Sequence, residues 1–337
     1  MKKRAFRILL VLTMAWILFV GCRSNNQQPT VNESENISAE PEIAETSKGA
    51  NKSRRFGATF MTLNNPFFVT LNEGLKKAVE ANGDKLITLD PQLDLNKQIA
   101  GIEDLIAQGV DAIFLNPVDW KGIKPALETA NKAGVPVFVV DAPVFDDDLV
   151  VATVASDNWE AGVLAAKHLT ETLGIIEGNV VILEHPTAKS AIERTDSFIE
   201  TIKKYPGLKI VAQQSSDGQL EQAMPVMENI IQANHDITVV MALNDPTALG
   251  AIAALEAAGK SNDVKAIYGV DGSEDAKKMV KEGKMTATAA QYPSEIGKIA
   301  VDTAYKYLNG EQVEHEIKVP VKLLTKENVE VDGNNGF

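Results

Sequence analysis

The sequence predicts an α/β protein made of two doubly wound parallel-sheet lobes. Three observations carry that prediction: from Arg54 onward short apolar runs alternate with amphipathic stretches, the runs lack polar alternation, and the pattern restarts after a segment near 145–157. A strand covered on both faces reads as an unbroken apolar run, whereas a strand with one wet face alternates.

In the first half the strands are FGATFMT, KLITLD, VDAIFLN and VPVFVVD. Between them lie FFVTLNEGLKKAVEANG, LNKQIAGIEDLIAQG and KGIKPALETANKAG, with apolar residues at helical spacing. Each of these ends on a glycine (Gly83, Gly109, Gly134), the residue that most easily takes the left-handed turn closing a helix. Strand-helix alternation places the strands parallel, with right-handed crossovers burying both sheet faces. The second half repeats the order: a helix over 158–174, NVVILE, a helix near 190–204, LKIVAQQ, a helix near 219–234, ITVVMALND, a helix from 247, and KAIYGVD. A chain of 337 residues holds two such Rossmann-like units.

The halves are alike in detail as well. FLNP, a helix and FVVDAP in the first parallel ALNDP, a helix and YGVDGS in the second; 25 residues separate Asn116 from Asp141 and 27 separate Asn244 from Asp271. All four residues stand at carboxyl ends of strands, where open α/β sheets bind ligands. Two readings are open for each: a cap of the following helix, or a ligand contact in a cleft between opposed lobes.

Asn and Asp suit the hydroxyls of a sugar or polyol, since each hydroxyl both donates and accepts. A sugar also has an apolar face, which packs on an aromatic ring. The stretch LNNPFF supplies one: Asn65 is the expected cap, Pro66 the first helical residue, and Phe67 and Phe68 stand at the mouth of the first strand. Core packing is the other reading of this pair. Arg194, early in the helix after NVVILE, belongs to the mouth of the second lobe and can form a charge-assisted bond to a ligand oxygen. Gln291, where the chain crosses back, is a hinge residue or a ligand contact.

LNNPFFVTLNEG, LNPVDW, VASDNWEAG, ALNDPTALGA, GVDGSEDA and ATAAQYPSEIG, in this order, resemble the ribose-binding-protein branch of the type I periplasmic solute-binding proteins of ABC importers. The similarity runs over about 56–325. It implies ligand contacts at Asn65, Phe67, Phe68, Asn116, Asp141, Arg194, Asn244, Asp271 and Gln291, two lobes joined by a hinge of several crossings, and a permease as partner. Two positions depart from the ribose pattern: Ala142 stands where the family has an arginine, and Gly218 where it has an aromatic. A differently substituted pentose, a hexose or a cyclic polyol then becomes the expected ligand, with Trp120 and Trp159 as candidate substitute walls.

The expected organisation is a signal peptide over 1–22, a disordered tether over 23–53, a first lobe of 54–156 plus 291–316, and a second of 157–290 plus 317–330. The start, MKKRAFRILLVLTMAWILFVGC, has a basic end and roughly 13 apolar residues, short of the ~20 of a membrane span. Cys22, the only cysteine, follows a small residue as in a lipobox, so lipidation and an extracytoplasmic, membrane-anchored monomer are expected. Residues 23–53 hold too little apolar surface to fold.

A net charge of −13 argues against a nucleic-acid surface. The signal-like start argues against a sugar-responsive repressor, which would begin with a helix-turn-helix domain. His168, His185, His235 and His315 lack metal-ligand spacing, and neither a dinucleotide fingerprint nor a P-loop is present, so no metal, cofactor or catalytic residue is expected. A glycoside-active enzyme built on Asp141 and Asp271 is disfavoured on the expectation that amides and an arginine keep both carboxyls ionised. A chemotaxis or quorum-sensing receptor using the same closed, liganded form stays open beside transport.

Overall fold

A computed structural model describes residues 53–333. The expectations for the signal peptide, for Cys22 and for most of the tether fall outside these residues. The chain runs β1 (Arg55–Thr59), α1 (Pro66–Glu80), β2 (Lys85–Leu89), α2 (Leu95–Ala107), β3 (Ala112–Leu115), α3 (Lys124–Lys132), β4 (Val137–Val140) and β5 (Ala152–Ser156). It continues through α4 (Asn158–Lys167), β6 (Glu177–Glu184), α5 (Lys189–Ile202), β7 (Gly207–Ser215), α6 (Leu220–Ala233), β8 (Ile237–Ala242), α7 (Asp245–Ala257), β9 (Ala266–Asp271), α8 (Glu274–Glu282) and β10 (Ala287–Ala290). The last elements are α9 (Pro293–Leu308), β11 (Glu316–Val319), β12 (Lys322–Thr325) and α10 (Val329–Asp332).

The strands form two six-stranded sheets, ordered β11-β5-β4-β3-β1-β2 and β12-β10-β9-β8-β6-β7. Matched position by position these orders are the same, which is the architectural duplication that the paired motifs announce. The first sheet is parallel throughout; in the second only β12 runs antiparallel, against β10. β3, β4, β9 and β10 are buried along their whole length, as the unbroken apolar runs require.

The segment near 145–157, read as a connector, contains a full strand. In VATVAS the polar Thr153 and Ser156 interrupt the apolar run, yet both are buried in β5, an interior strand between β4 and β11. The last crossing also lies further on than 316. Glu316–Val319 pairs with Thr153–Ser156 as an edge strand of the first sheet, and the chain passes over only at Pro320–Val321. An edge strand with one wet face alternates, so EIKV lacks the pattern by which its neighbours are read. The helix expected over 158–174 is α-helical to Lys167 and closes with one π turn over His168–Thr172.

α9, although it follows the second sheet in sequence, packs on α1 and against β4 and β5. A side chain at Gly74 would meet the Ser294 backbone at 2.8 Å, and one at Gly297 the Leu75 amide nitrogen at 2.8 Å. Two glycines facing each other bring these helix backbones together. The contact fixes where the chain re-enters the first lobe and so aims Gln291, just before α9, at the gap between the sheets.

Candidate functional site

The carboxyl ends of the two sets of strands face each other across one cavity, the place where open α/β sheets take ligands. Asn65, Phe67, Phe68 and Asp141 line it from the first lobe; His185, Arg194, Gly218, Asn244 and Asp271 line it from the second, with Gln291 at the end of β10. Eight of the nine expected contact residues therefore converge on one space.

Asn65 is both cap and wall: its side chain accepts a hydrogen bond from the Phe67 amide at 2.9 Å, and Pro66 occupies the first helical position. Phe67 and Phe68 are buried, their rings edge to face at 5.4 Å, and Phe68 also leans on Phe60. The core reading of this pair holds, and both residues also line the cavity. The rings are core residues whose outer faces form the apolar wall of the cavity.

Asn116 is the exception, lying fully buried behind the wall. Its Oδ1 accepts from the Met61 amide at 3.1 Å, and its Nδ2 donates to the Asp141 carboxylate at 3.1 Å and to the Val140 carbonyl at 3.2 Å. Gln98, not anticipated, ties the same loops together: its Nε2 donates to the Asn116 carbonyl at 2.8 Å and its Oε1 accepts from the Val118 amide at 2.8 Å. Asn244, at the matching strand end of the other lobe, caps α7 by accepting from the Thr247 amide at 3.0 Å while its Nδ2 donates to the Gly218 carbonyl.

The two aspartates share a rarer feature. Asp141 has φ +65° and Asp271 φ +134°, backbone regions that non-glycine residues seldom enter and that concentrate at functional sites. Gln291 serves Asp271 as Asn116 serves Asp141: its Nε2 donates to the Asp271 carboxylate at 2.7 Å. Arg194 lies between them, 3.7 Å from Asp141 and 4.0 Å from Asp271. Its Nε donates to Asn158 Oδ1 at 2.8 Å and one Nη to the Leu243 carbonyl at 3.2 Å, so the guanidinium is held from behind while it faces both carboxylates.

The carboxyls are held in their ionised form less firmly than expected. Burial pushes Asp141 up to about 6 despite the opposing pull of Arg194 and the Asn116 amide. Asp271 rises well above the ordinary range, through burial first and the charge of Asp245 next. Both groups are sealed from water, and one guanidinium does not offset the loss of hydration.

Among the described residues, Asp141 Oδ1, Gln291 Oε1 and His185 Nε2 are buried, line the cavity and have no hydrogen-bond partner. Buried polar atoms are nearly always satisfied, so three at one cavity mark a site shaped for a polar ligand. His185 was missed in the sequence, where it was weighed only as a metal ligand, although it directly follows strand β6 and strand-end position was the available signal. The two tryptophans do not line the cavity. Trp120 packs edge to face on Phe145, and Trp159 is 43% exposed on α4.

A family model for the periplasmic binding protein domain matches residues 56–312. The chain belongs to the periplasmic binding protein family. Within it the chain falls in the ribose-binding-protein branch: it is 40% identical over 320 residues to the ribose import binding protein RbsB of Bacillus subtilis, covering 95% of this chain and 98% of that protein. A solute-binding protein of Bacillus halodurans, solved with bound myo-inositol, is 32% identical with a TM-score of 0.78, covering 84% of this periplasmic binding protein and 98% of the other. One from Agrobacterium vitis, solved with bound D-fucose, is 30% identical with a TM-score of 0.79, covering 84% and 100%. These relatives are transport proteins of one fold that differ in the ligand named for each.

Proposed function

We propose that the protein is the extracytoplasmic receptor of an ABC sugar importer. It binds a monosaccharide or polyol between its lobes, closes on it, and delivers it unaltered to the permease. The single observation that carries this reading is the convergence of Asp141, Asp271, Gln291 and Arg194 with the Phe67–Phe68 wall on one cavity. Carboxylates and an amide accept from ligand hydroxyls, the guanidinium donates to an oxygen, and the rings cover an apolar face. The identity to ribose import and other sugar-binding relatives supports the same reading.

Closure follows from differential affinity: contacts from both lobes are made together only when the cleft is shut, so ligand favours the shut form. In this reading the carboxylates are hydrogen-bond acceptors and no bond of the ligand is broken. The protein acts as a monomer, exported by the basic and apolar start and lipid-anchored through Cys22.

A calorimetric screen of pentoses, hexoses and polyols on the purified protein tests the function. Saturable binding of at least one of them, with the ligand recovered unchanged, is the expected result. Failure of every one to bind, or turnover of any, sinks it. Radiolabelled palmitate incorporation, lost in Cys22→Ala, tests the anchor.

A further inference from the structure

The proposed binding mode gives His185 no task. His185 follows β6 directly, is 8% exposed and lines the cavity from the second lobe. Its Nδ1 lies 3.3 Å from Thr187 Oγ1, which steadies the ring, while its Nε2 has no hydrogen-bond partner among the described residues. An imidazole nitrogen shut away from water with nothing to bond is a cost that the fold itself does not recover.

Gly218 accounts for the space the ring uses. A Cβ there would press on Asn244 Nδ2 at 3.1 Å and come into ordinary contact with His185 Cδ2 at 3.8 Å, so the ring edge lies directly beside residue 218. Gly218 also has φ +68°, a conformation that glycine adopts without strain. The second-lobe wall is therefore an imidazole edge beside bare backbone, opposite a first-lobe wall of phenylalanine rings.

We propose that His185 is a specificity-determining ligand contact, its Nε2 hydrogen-bonding a hydroxyl that the ligand projects toward the second lobe beside Gly218. This rests on the sugar-binding reading and narrows it. The favoured ligand is a hexose or a cyclitol, which has at least one hydroxyl more than a pentose to direct at that wall. A hydroxyl is matched to this nitrogen in either tautomer, because it donates to a bare Nε2 and accepts from a protonated one.

The test is calorimetry of the wild-type protein, His185→Ala and His185→Gln against D-ribose, D-arabinose, D-glucose, D-galactose, D-allose and myo-inositol, with circular dichroism to confirm that each variant is folded. The wild type should bind a hexose or the cyclitol best. His185→Ala should weaken that ligand roughly tenfold or more, as for a lost buried hydrogen bond, and leave any measurable pentose binding within about twofold; His185→Gln, which keeps a polar end group, should retain part of the preference. Loss of selectivity rather than of all binding separates a contact from a structural role. A pentose as the tightest ligand, or unchanged affinity for the preferred ligand in His185→Ala, overturns the proposal while the sugar-binding function stands. No binding of any of the six by the wild type overturns both.

Discussion

Arg194 of the second lobe stands 3.7 Å from Asp141 of the first, and the same guanidinium is 4.0 Å from Asp271 in its own lobe. One cation thus faces two buried carboxylates, and it is the ion pair that spans the cavity. Removing one partner of a buried pair leaves the other charge uncompensated, which costs about 3–5 kcal/mol. Arg194→Met should therefore lose stability of that order at pH 8 by urea unfolding, with a smaller loss at pH 5, where the carboxyls can take up protons instead. A loss independent of pH would mean that Arg194 acts through its bonds to Asn158 and the Leu243 carbonyl, not through charge.

The raised aspartate makes a second expectation. Folded Asp141 holds its proton up to about 6, against an ordinary value of 3.8. The folded state thus binds a proton that the unfolded state has released, and the stability this provides is full below pH 3.8 and lost as pH rises through 6. Asparagine cannot titrate. Between pH 5 and pH 7.5 the ligand-free wild type should lose about 1–2 kcal/mol relative to Asp141→Asn, at about 1.4 kcal/mol per unit. Parallel urea-unfolding curves for the two proteins across that range would show that Asp141 stays ionised.

Asn116 was expected at the ligand and stands behind it, so its removal should act through Asp141. Asn116→Ala frees the Asp141 carboxylate from its amide donor and leaves the Met61 amide unpaired. We expect a fall of roughly tenfold in ligand affinity with a stability loss of about 1–3 kcal/mol. The slope of stability between pH 5 and pH 7.5 should steepen, because the donor that lowers the Asp141 pKa is gone. Unchanged affinity would show that the carboxylate orients itself without help.

How far the site is legible in the sequence depends on what each residue needs from its surroundings. Strand ends are marked locally, by an apolar run giving way to a polar residue before a helix, and this found Asp141, Asp271, Asn244 and the LNNPFF mouth. The division of labour is not local: the near-matching spacings of Asn116 and Asn244 conceal that one braces a carboxylate and the other caps α7, because the difference lies in neighbours far along the chain. His185 was set aside because histidines were searched for metal spacing and not for strand-end position. Trp120 and Trp159 drew notice for their size, but the one packs on Phe145 in a loop and the other stands exposed on a helix. β5 and β11 escaped because buried threonine and serine, or an alternating edge, interrupt the apolar run that marks a central strand.

Although Trp120 does not touch the cavity, it spans the seam between the lobes. Its backbone amide donates to the Thr187 carbonyl of the second lobe at 3.0 Å, and the Lys189 ammonium of that lobe lies 5.5 Å from its ring centre. Both contacts depend on the lobes being shut, so opening removes the Lys189 ammonium and leaves Lys121, next in the chain and 4.7 Å from the ring centre, as the cation beside the indole. Trp159 is exposed on α4 and belongs to the second lobe. Adding a bound sugar to the ligand-free protein should therefore shift tryptophan fluorescence, the shift should persist in Trp159→Phe, and it should vanish in Trp120→Phe while calorimetric affinity changes by no more than about twofold. A ligand-induced shift that survives in Trp120→Phe and disappears in Trp159→Phe would place the moving surface on α4 and not at the Trp120–Thr187 seam.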